Sequence, residues 1–223
     1  GMGGHAAGEV ASSMSIDAIV EFVEKHAADS SLTWPFGFDS RLSPKANALI
    51  NGIRLANTRL FSLQQERAEL SGMGTTIAAL RIDGQNATMA HVGDSRVYRI
   101  RGGQLEQLNS DHSWVNEQLL KNIITVEEAR THRYKNVITR ALGNRLDLEV
   151  DTRVEPIEIG DHFLLCSDGL SGMVEDWEIR EVVVDLHPGD LRAAANKLVA
   201  LANEAGGQDN ISVVLVRIDP DEE

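Results

Sequence analysis

Residues 75–108 read TTIAALRIDGQNATMAHVGDSRVYRIRGGQLEQL, and the fold class turns on this stretch. Four short extended runs, Thr75–Ile82, Ala87–Val92, Arg96–Ile100 and Leu105–Leu108, are separated by Asp83-Gly84, Gly93-Asp94 and Gly102-Gly103. Glycine enters the positive-φ region at no steric cost, so pairs of this kind reverse a chain within two or three residues. The spacing predicts an antiparallel meander.

Outward from the meander the period becomes helical. On the N-terminal side Val10, Met14, Ile19, Phe22, Val23 and Ala27 fall mostly three or four apart, which predicts a helix over 8–27 with one buried face. Residues 29–44 are a turn-rich loop whose Trp34, Phe36 and Phe38 are expected to anchor it to the core. Ser43-Pro44 then starts a second helix, serine as cap and proline in the first turn, running to Arg67 with Leu49, Ile53, Ala56, Leu60 and Leu63 on one stripe. On the C-terminal side, residues 111–138 are a polar insertion with helical pieces over 114–121 and 126–132. Strands return at 149–154, 162–166 and 211–217, with helices at 176–185 and 190–205. Helices first, strands in the middle and helices before a last strand make an α+β chain, its antiparallel sheets covered by helices.

With 42% hydrophobic and 25% charged residues in 223, the composition is that of a folded soluble protein and excludes disorder, collagen and coiled coil. The net charge of −13 repels nucleic acid and anionic lipid, so neither is expected as a partner. It would also repel a phosphorylated substrate unless a bound cation reversed the local sign. The single cysteine, Cys166, can form neither an internal disulfide nor a multi-thiolate zinc site, and its setting in Phe163-Leu164-Leu165-Cys166 is that of a buried, inert thiol. No apolar run approaches the ~18 residues of a membrane span, and nothing reads as a signal peptide. The expected location is the cytoplasm. Gly1 before Met2 is either a tag scar or native sequence.

Three aspartates share one local pattern: Asp94 in Gly93-Asp94-Ser95-Arg96, Asp168 in Ser167-Asp168-Gly169, and Asp209 in Gly206-Gly207-Gln208-Asp209-Asn210. Each sits at a strand end or just before a strand, beside glycine. Hard cations such as Mg²⁺ and Mn²⁺ need carboxylate oxygens gathered from separate segments, and a rigid sheet can deliver them. Taken singly, each aspartate reads first as an Asx turn.

Seven motifs stand in order: Met2-Gly3-Gly4-His5, Gly72-Met73-Gly74-Thr75-Thr76, His91 to Arg96, Asp111-His112-Ser113, Thr139-Arg140-Ala141-Leu142-Gly143, Cys166 to Leu170, and Gly206 to Ser212. Together they resemble the bacterial metal-dependent serine/threonine phosphatases of the protein phosphatase 2C family (PP2C, also PPM), over essentially the whole chain. The resemblance implies one domain over 1–223, a four-layer α-β-β-α sandwich of two antiparallel sheets flanked by helix pairs, with 111–138 as a flap-like insertion. It implies two to three Mg²⁺ or Mn²⁺ ions, and hydrolysis of phosphoserine and phosphothreonine in proteins by a metal-activated water. Carried over by position, Asp168 and Asp209 match carboxylate ligands of the first metal, and Asp94 with Asp168 matches a third, weaker site. Gly1 matches a glycine whose carbonyl touches the second metal. His5 matches a histidine near the phosphate, a candidate proton donor, and reads equally as a solvent-facing helix start. Gly169 and Asn210 are supporting residues, the amide of Asn210 orienting Asp209. Asp111 is expected to cap the following helix, Arg140 to be structural, and Arg96 stays open between the two roles.

The family pattern begins before Gly1, with a strand pair carrying an acidic ligand, an arginine and an aspartate that bridges both metals. The expectation for 1–223 is therefore an N-terminally truncated fold, one weakly held cation or none, weak or absent turnover, and self-association through unpaired strand edges. Two carboxylates ~4 Å apart at an effective dielectric of ~20 repel by roughly 4 kcal/mol, so they must keep a cation, separate or take up a proton. The expected partners are phosphorylated proteins and a cognate serine/threonine kinase. The alternative function is a catalytically inactive phosphoprotein-binding or regulatory module.

Overall fold

A computed structural model of the chain describes residues 1–2, 5–29, 31–186 and 189–220, without the side chains at positions 5 and 6. The contacts divide into two compact units, one holding residues 1–84, 88–93 and 112–152, the other residues 85–87, 94–111 and 153–223.

In the first unit, helices α1 (His5–Ala28) and α2 (Pro44–Glu66) lie against each other. Their buried faces are rich in small residues, and Ala11, Ala18, Ile53, Ala56 and Leu60 pack with Met73, Ala90, Val92 and Leu142. The start of α2 follows the sequence: Ser43 Oγ accepts the Ala46 N–H at 3.1 Å, and Pro44 occupies the first turn. Three buried asparagines on α2 bind main chain elsewhere. Asn47 exchanges two hydrogen bonds with Asp39 (2.7 and 2.9 Å), and Asn51 takes the Phe36 N–H and donates to the Gly37 carbonyl. The 29–44 loop is thus fastened by polar groups as well as by Trp34, which stands 4.6 Å from His26 and 5.2 Å from Phe38.

Strands β1 (Ile77–Asp83), β2 (Asn86–Val92) and β5 (Asp151–Pro156) form one sheet in the order β1-β2-β5. Strands β3 (Arg96–Arg101), β4 (Gln104–Gln107), β6 (His162–Cys166) and β7 (Val213–Arg217) form a second, antiparallel sheet in the order β4-β3-β6-β7. Its register aligns Tyr98 with Leu164 and Leu164 with Leu215. The inner face of this sheet buries Tyr98, Ile100, Leu164 and Cys166 under Leu170, Ile179, Leu198 and Ala202. Those last four come from α5 (Asp168–Ser171), α6 (Asp176–Glu181) and α7 (Leu191–Glu204). Cys166 is a buried thiol pushed up to about 12 by desolvation, as a core thiol should be.

The continuous meander expected over 75–108 is corrected. β1–β2 and β3–β4 are hairpins, but they belong to different sheets. The physical reason lies at Gly93, where φ is 115° and an added Cβ would run into the Thr76 side chain and stand 3.2 Å from Thr76 Cα. Residues 93 and 94 form a bend, with Gly93 close to Thr76, and not a tight turn that returns β3 alongside β2. Thr75, expected in the strand, instead makes an isolated bridge to Leu142. The helix expected over 176–185 changes at Val182 into a π-helical turn, Val182–Leu186. Within the insertion, α3 (Trp114–Leu120) and α4 (Val126–Thr131) form as expected, α4 with a Thr125–Glu128 capping box. Among the described residues no helix is long and apolar enough to cross a membrane.

Candidate metal centre

Strand β6 ends at Cys166, and the chain turns immediately into α5, so Asp168 stands at the rim of the second sheet. Ser167 ties this rim to the segment before β7. Its Oγ donates to the Asn210 carbonyl (2.9 Å) and accepts the Ser212 N–H (3.0 Å), while its own N–H reaches the Ser212 carbonyl (3.2 Å). Gly169 completes the approach: a Cβ there would strike the Asn210 carbonyl oxygen and lie 2.8 Å from its carbon. Asp168 and the Asp209–Asn210 segment are therefore brought together by a hydroxyl and by a missing side chain.

Asp209 is exposed, and its Oδ1 accepts the Asn210 N–H at 2.7 Å. The orientation expected from the Asn210 amide comes from its main chain. Burial raises the Asp168 carboxyl above the usual carboxylate range, and the nearby Asp209 charge raises it further. Asp94 is pushed up to about 6, first by burial and then by the Asp168 charge. Arg96 does little to offset this, because its guanidinium is engaged in a bidentate pair with Asp111 (2.8–3.1 Å) and a bond to Tyr98 Oη (3.0 Å). Among the described residues no basic side chain forms an ion pair with Asp94, Asp168 or Asp209.

This pairing corrects the capping role expected of Asp111. The helix cap is Ser113, whose Oγ accepts the Asn116 N–H at 3.3 Å, and Asp111 instead binds Arg96 and the Gln107 amide.

The first unit collects the remaining motifs. Met2 and Gly74 exchange main-chain hydrogen bonds (2.7 and 3.1 Å), Thr75 and Leu142 likewise (2.9 and 3.2 Å), and Gly1 lies against the Gly8 backbone. The His5 side chain lies outside the described residues, so its expected role as proton donor does too. Sequence reasoning missed a polar chain here, buried at His112 and half-buried at Asp151 and Arg140. His112 Nδ1 accepts the Gly93 N–H at 3.0 Å, His112 Nε2 stands 3.2 Å from Asp151 Oδ2, and Asp151 Oδ1 binds Arg140. The ring of His112 stacks on His91 with centroids 4.5 Å apart and planes 19° apart. The signal was present, since His91, His112 and Arg140 all lie in the ordered motifs, but nothing local marks Asp151 as their partner.

His91, His112 and Asp151 offer ligand atoms within 4.8 Å of one another and could in principle hold an ion. Nearly parallel rings aim their in-plane lone pairs side by side, not at a common point the 2.0–2.1 Å from each nitrogen that a metal requires. The hydrogen bonds just described also occupy both nitrogens of His112 and both oxygens of Asp151. The three aspartates form a second candidate donor set, oxygen-only and so of the type that Mg²⁺ or Mn²⁺ takes, with Asp94 raised by Asp168 and Asp168 by Asp209.

Residues 1–211 match the family model described as Protein phosphatase 2C. The chain is 37% identical over 222 residues to protein phosphatase PhpP of Streptococcus pneumoniae, covering 100% of this chain and 85% of that one. It superposes on the Mycobacterium tuberculosis serine/threonine phosphatase PstP/Ppp with a TM-score of 0.83 at 34% identity, covering 98% and 86% of the two chains. A structure of the PstP catalytic domain in complex with two manganese ions matches at a TM-score of 0.79, again at 34% identity, over 98% and 85%. Full-length similarity of this order, joined to the α+β architecture of two antiparallel sheets with flanking helices, shows that the chain belongs to the protein phosphatase 2C family of metal-dependent protein serine/threonine phosphatases.

Proposed function

We propose that this chain hydrolyses phosphoserine and phosphothreonine in cytoplasmic proteins, with Asp94, Asp168 and Asp209 holding Mg²⁺ or Mn²⁺. The observation that carries the reading is the accumulation of three carboxyls at one rim, Asp94 pushed up to about 6 and Asp168 raised by burial and by Asp209, with none of the three paired with a basic side chain among the described residues. A cation relieves that strain and supplies the positive field a chain of net charge −13 needs to attract a phosphate dianion. When bound, such ions polarise the phosphoryl oxygens and lower the pKa of a coordinated water.

The chain's own residues divide the remaining work. Asp168 is presented by the turn from β6 into α5, Asp209 is oriented by the Asn210 N–H, and Gly169 lets the two segments meet. Gly1 would add a carbonyl oxygen, and His5 would donate a proton beside the phosphate. The reading assumes the family arrangement of one domain, a four-layer α-β-β-α sandwich with residues 111–138 as a flap. Three carboxylates are few for two tight sites, so residues 1–223 assayed as they stand should take one cation weakly and turn over slowly. Phosphorylated proteins are the substrate class, and a cognate serine/threonine kinase is the natural opposing partner.

Calorimetric titration with Mn²⁺, paired with hydrolysis of p-nitrophenyl phosphate, tests this. Weak uptake and slow, Mn²⁺-dependent hydrolysis are expected, both lost in Asp168→Asn. Two tight sites on the unaltered chain would contradict the weak-site reading, and uptake with no hydrolysis at all would favour a binding module.

A further inference from the structure

Charge is unevenly shared along the chain. Residues 129–146, ARTHRYKNVITRALGNRL, hold five of the 21 lysines and arginines (Arg130, Arg133, Lys135, Arg140 and Arg145) and none of the 34 acidic residues. The whole stretch lies in the first unit. The acidic residues just before it are Glu127 and Glu128, and Glu128 is committed to the capping box with Thr125. Arg140 is committed as well, to Asp151 and Glu149. Arg133 and Lys135 are exposed, and neither forms an ion pair among the described residues.

The turn that carries these two cations is fixed from its main chain. Lys135 N–H donates to the His132 carbonyl (3.0 Å), and Val137 N–H donates to the Tyr134 carbonyl (3.0 Å). Tyr134 N–H donates to His132 Nδ1 (3.1 Å), and Trp114 N–H reaches across to the Val137 carbonyl (2.8 Å). The His132 ring stacks on Trp114 with centroids 4.7 Å apart, and the Tyr134 ring stands edge-on to Trp114 at 5.3 Å. The Arg133 guanidinium lies over the Tyr134 ring, 4.5 Å from its centroid. Tyr134 is 39% exposed and Val137 43%. Four hydrogen bonds and two contacts to Trp114 thus hold a turn whose cations, tyrosine and valine remain open to solvent. A surface ordered in advance loses little entropy when it binds.

We propose that the 132–137 turn is a docking surface for an acidic segment of a partner protein, with Arg133 and Lys135 meeting its carboxylates and Tyr134 and Val137 its apolar side chains. Charge complementarity selects this occupant: a chain of net charge −13 repels an acidic segment as a whole and attracts it here. Nucleic acid and anionic lipid ask for more cations than the turn has. Tight nucleic-acid binding neutralises about 6–10 phosphates, and lipid-binding clusters carry about 4–8 basic residues. The docking surface does not rest on the reading of the aspartates as a cation site, and it is tested with no metal present.

The probe is a fluorescein-labelled peptide of glutamates around one leucine, titrated with the full metal-free chain and followed by fluorescence anisotropy. Binding that weakens as salt rises from about 0.05 M to about 0.5 M is expected. Arg133→Gln combined with Lys135→Gln should weaken it about tenfold, since two exposed charge pairs are lost. Arg192→Gln combined with Lys197→Gln removes the same charge from α7, in the second unit, and should leave binding unchanged. Both double variants should melt with the unaltered chain, because the bonds that hold the turn come from main chain and from His132. No binding, equal loss in the two double variants, or equal binding of a peptide with glutamine in place of glutamate overturns the docking surface. A lowered melting temperature in the Arg133 and Lys135 variant alone would mean that these cations hold the turn, which overturns it too. Tighter binding to phosphatidylserine vesicles than to the peptide, lost in the same variant, would give the turn to a membrane and overturn the protein partner.

Discussion

Gly169 has no space for a side chain, because the Asn210 carbonyl occupies the volume where a Cβ would stand. Gly169→Ala must push the Asp209–Asn210 segment outward, at a cost of about 1–3 kcal/mol for overpacking, and should weaken Mn²⁺ uptake through displaced Asp209. Denaturant unfolding and metal titration on one protein sample check both halves. A second outcome at this scale follows from Asp94, which ionises near 3.8 when unfolded and near 6 in the folded chain. Between those values the folded state binds the extra proton, so metal-free stability falls as pH rises through this window and levels off above it, by about 3 kcal/mol at most. Asp94→Asn should remove the Asp94 share of that slope, the raised Asp168 keeping its own, and leave the variant more stable than the unaltered chain at pH 7. Saturating Mn²⁺ should flatten the slope in the unaltered chain. Melting temperatures across pH, with and without metal, read all of this. The aspartates themselves were legible because each sits in a short pattern with glycine. Ser167 and Asp151 were not, because their partners are 43 and 39 or fewer residues away and nothing in their immediate neighbours announces them.

Among the elements, α2 shows how one helix can fasten several distant loops of its own unit. Asn57 donates to the carbonyls of Arg145 (2.8 Å) and Leu146 (3.1 Å) and accepts the Gly143 N–H (2.8 Å). Two turns further on, Gln64 donates to the Gly143 carbonyl (2.8 Å) and accepts the Gly72 N–H (2.9 Å). The Gly72–Thr76 and Thr139–Gly143 motifs are thereby held at a common wall, with Arg140 poised for Asp151. Asn57→Leu would fill the volume and leave the buried Gly143 N–H and two partly buried carbonyls without their partner, for a loss of about 1–3 kcal/mol. It should appear as a lower denaturant midpoint at unchanged slope. The same helix marks the limit of pattern reading. Its span follows from the stripe of Leu49, Ile53, Ala56 and Leu60 and from Ser43-Pro44, yet the buried Asn47, Asn51 and Asn57 interrupt the apolar face and reveal their purpose only through loops far along the chain. Short elements were equally opaque. The four residues of α5 carry no measurable period, and the change to a π turn at Val182 leaves the apolar spacing of 176–185 intact. The sheet assignment failed for a related reason, since a glycine that opens a hairpin and one that lets the chain pass beneath a threonine look identical in sequence.

For the molecule as a whole, charge and strand edges act in opposite directions. Among the described residues β7 pairs only with β6, and its outer side shows Val214 at 55% exposure, an apolar residue on a strand of Val213-Val214-Leu215-Val216. β1 ends its own sheet with Ile77, Ala78, Ala79 and Leu80 only half-buried. Unpaired N–H and C=O groups beside apolar side chains favour edge pairing between copies, while a net charge of −13 on each copy opposes it. Screening decides between them, because the Debye length falls from about 10 Å at 0.1 M to about 3 Å at 1 M. Sedimentation at micromolar concentration should therefore show association that grows with added salt, the reverse of what an ion-pair interface would do. Val214→Lys puts a charge on the outer side of β7 and should keep the protein monomeric at every salt concentration, with its melting temperature little changed because the side chain it replaces is already exposed. If association persists in Val214→Lys but disappears in Leu80→Lys, pairing runs through β1, and a clean monomer of the unaltered chain at 1 M salt would mean that neither edge pairs in solution.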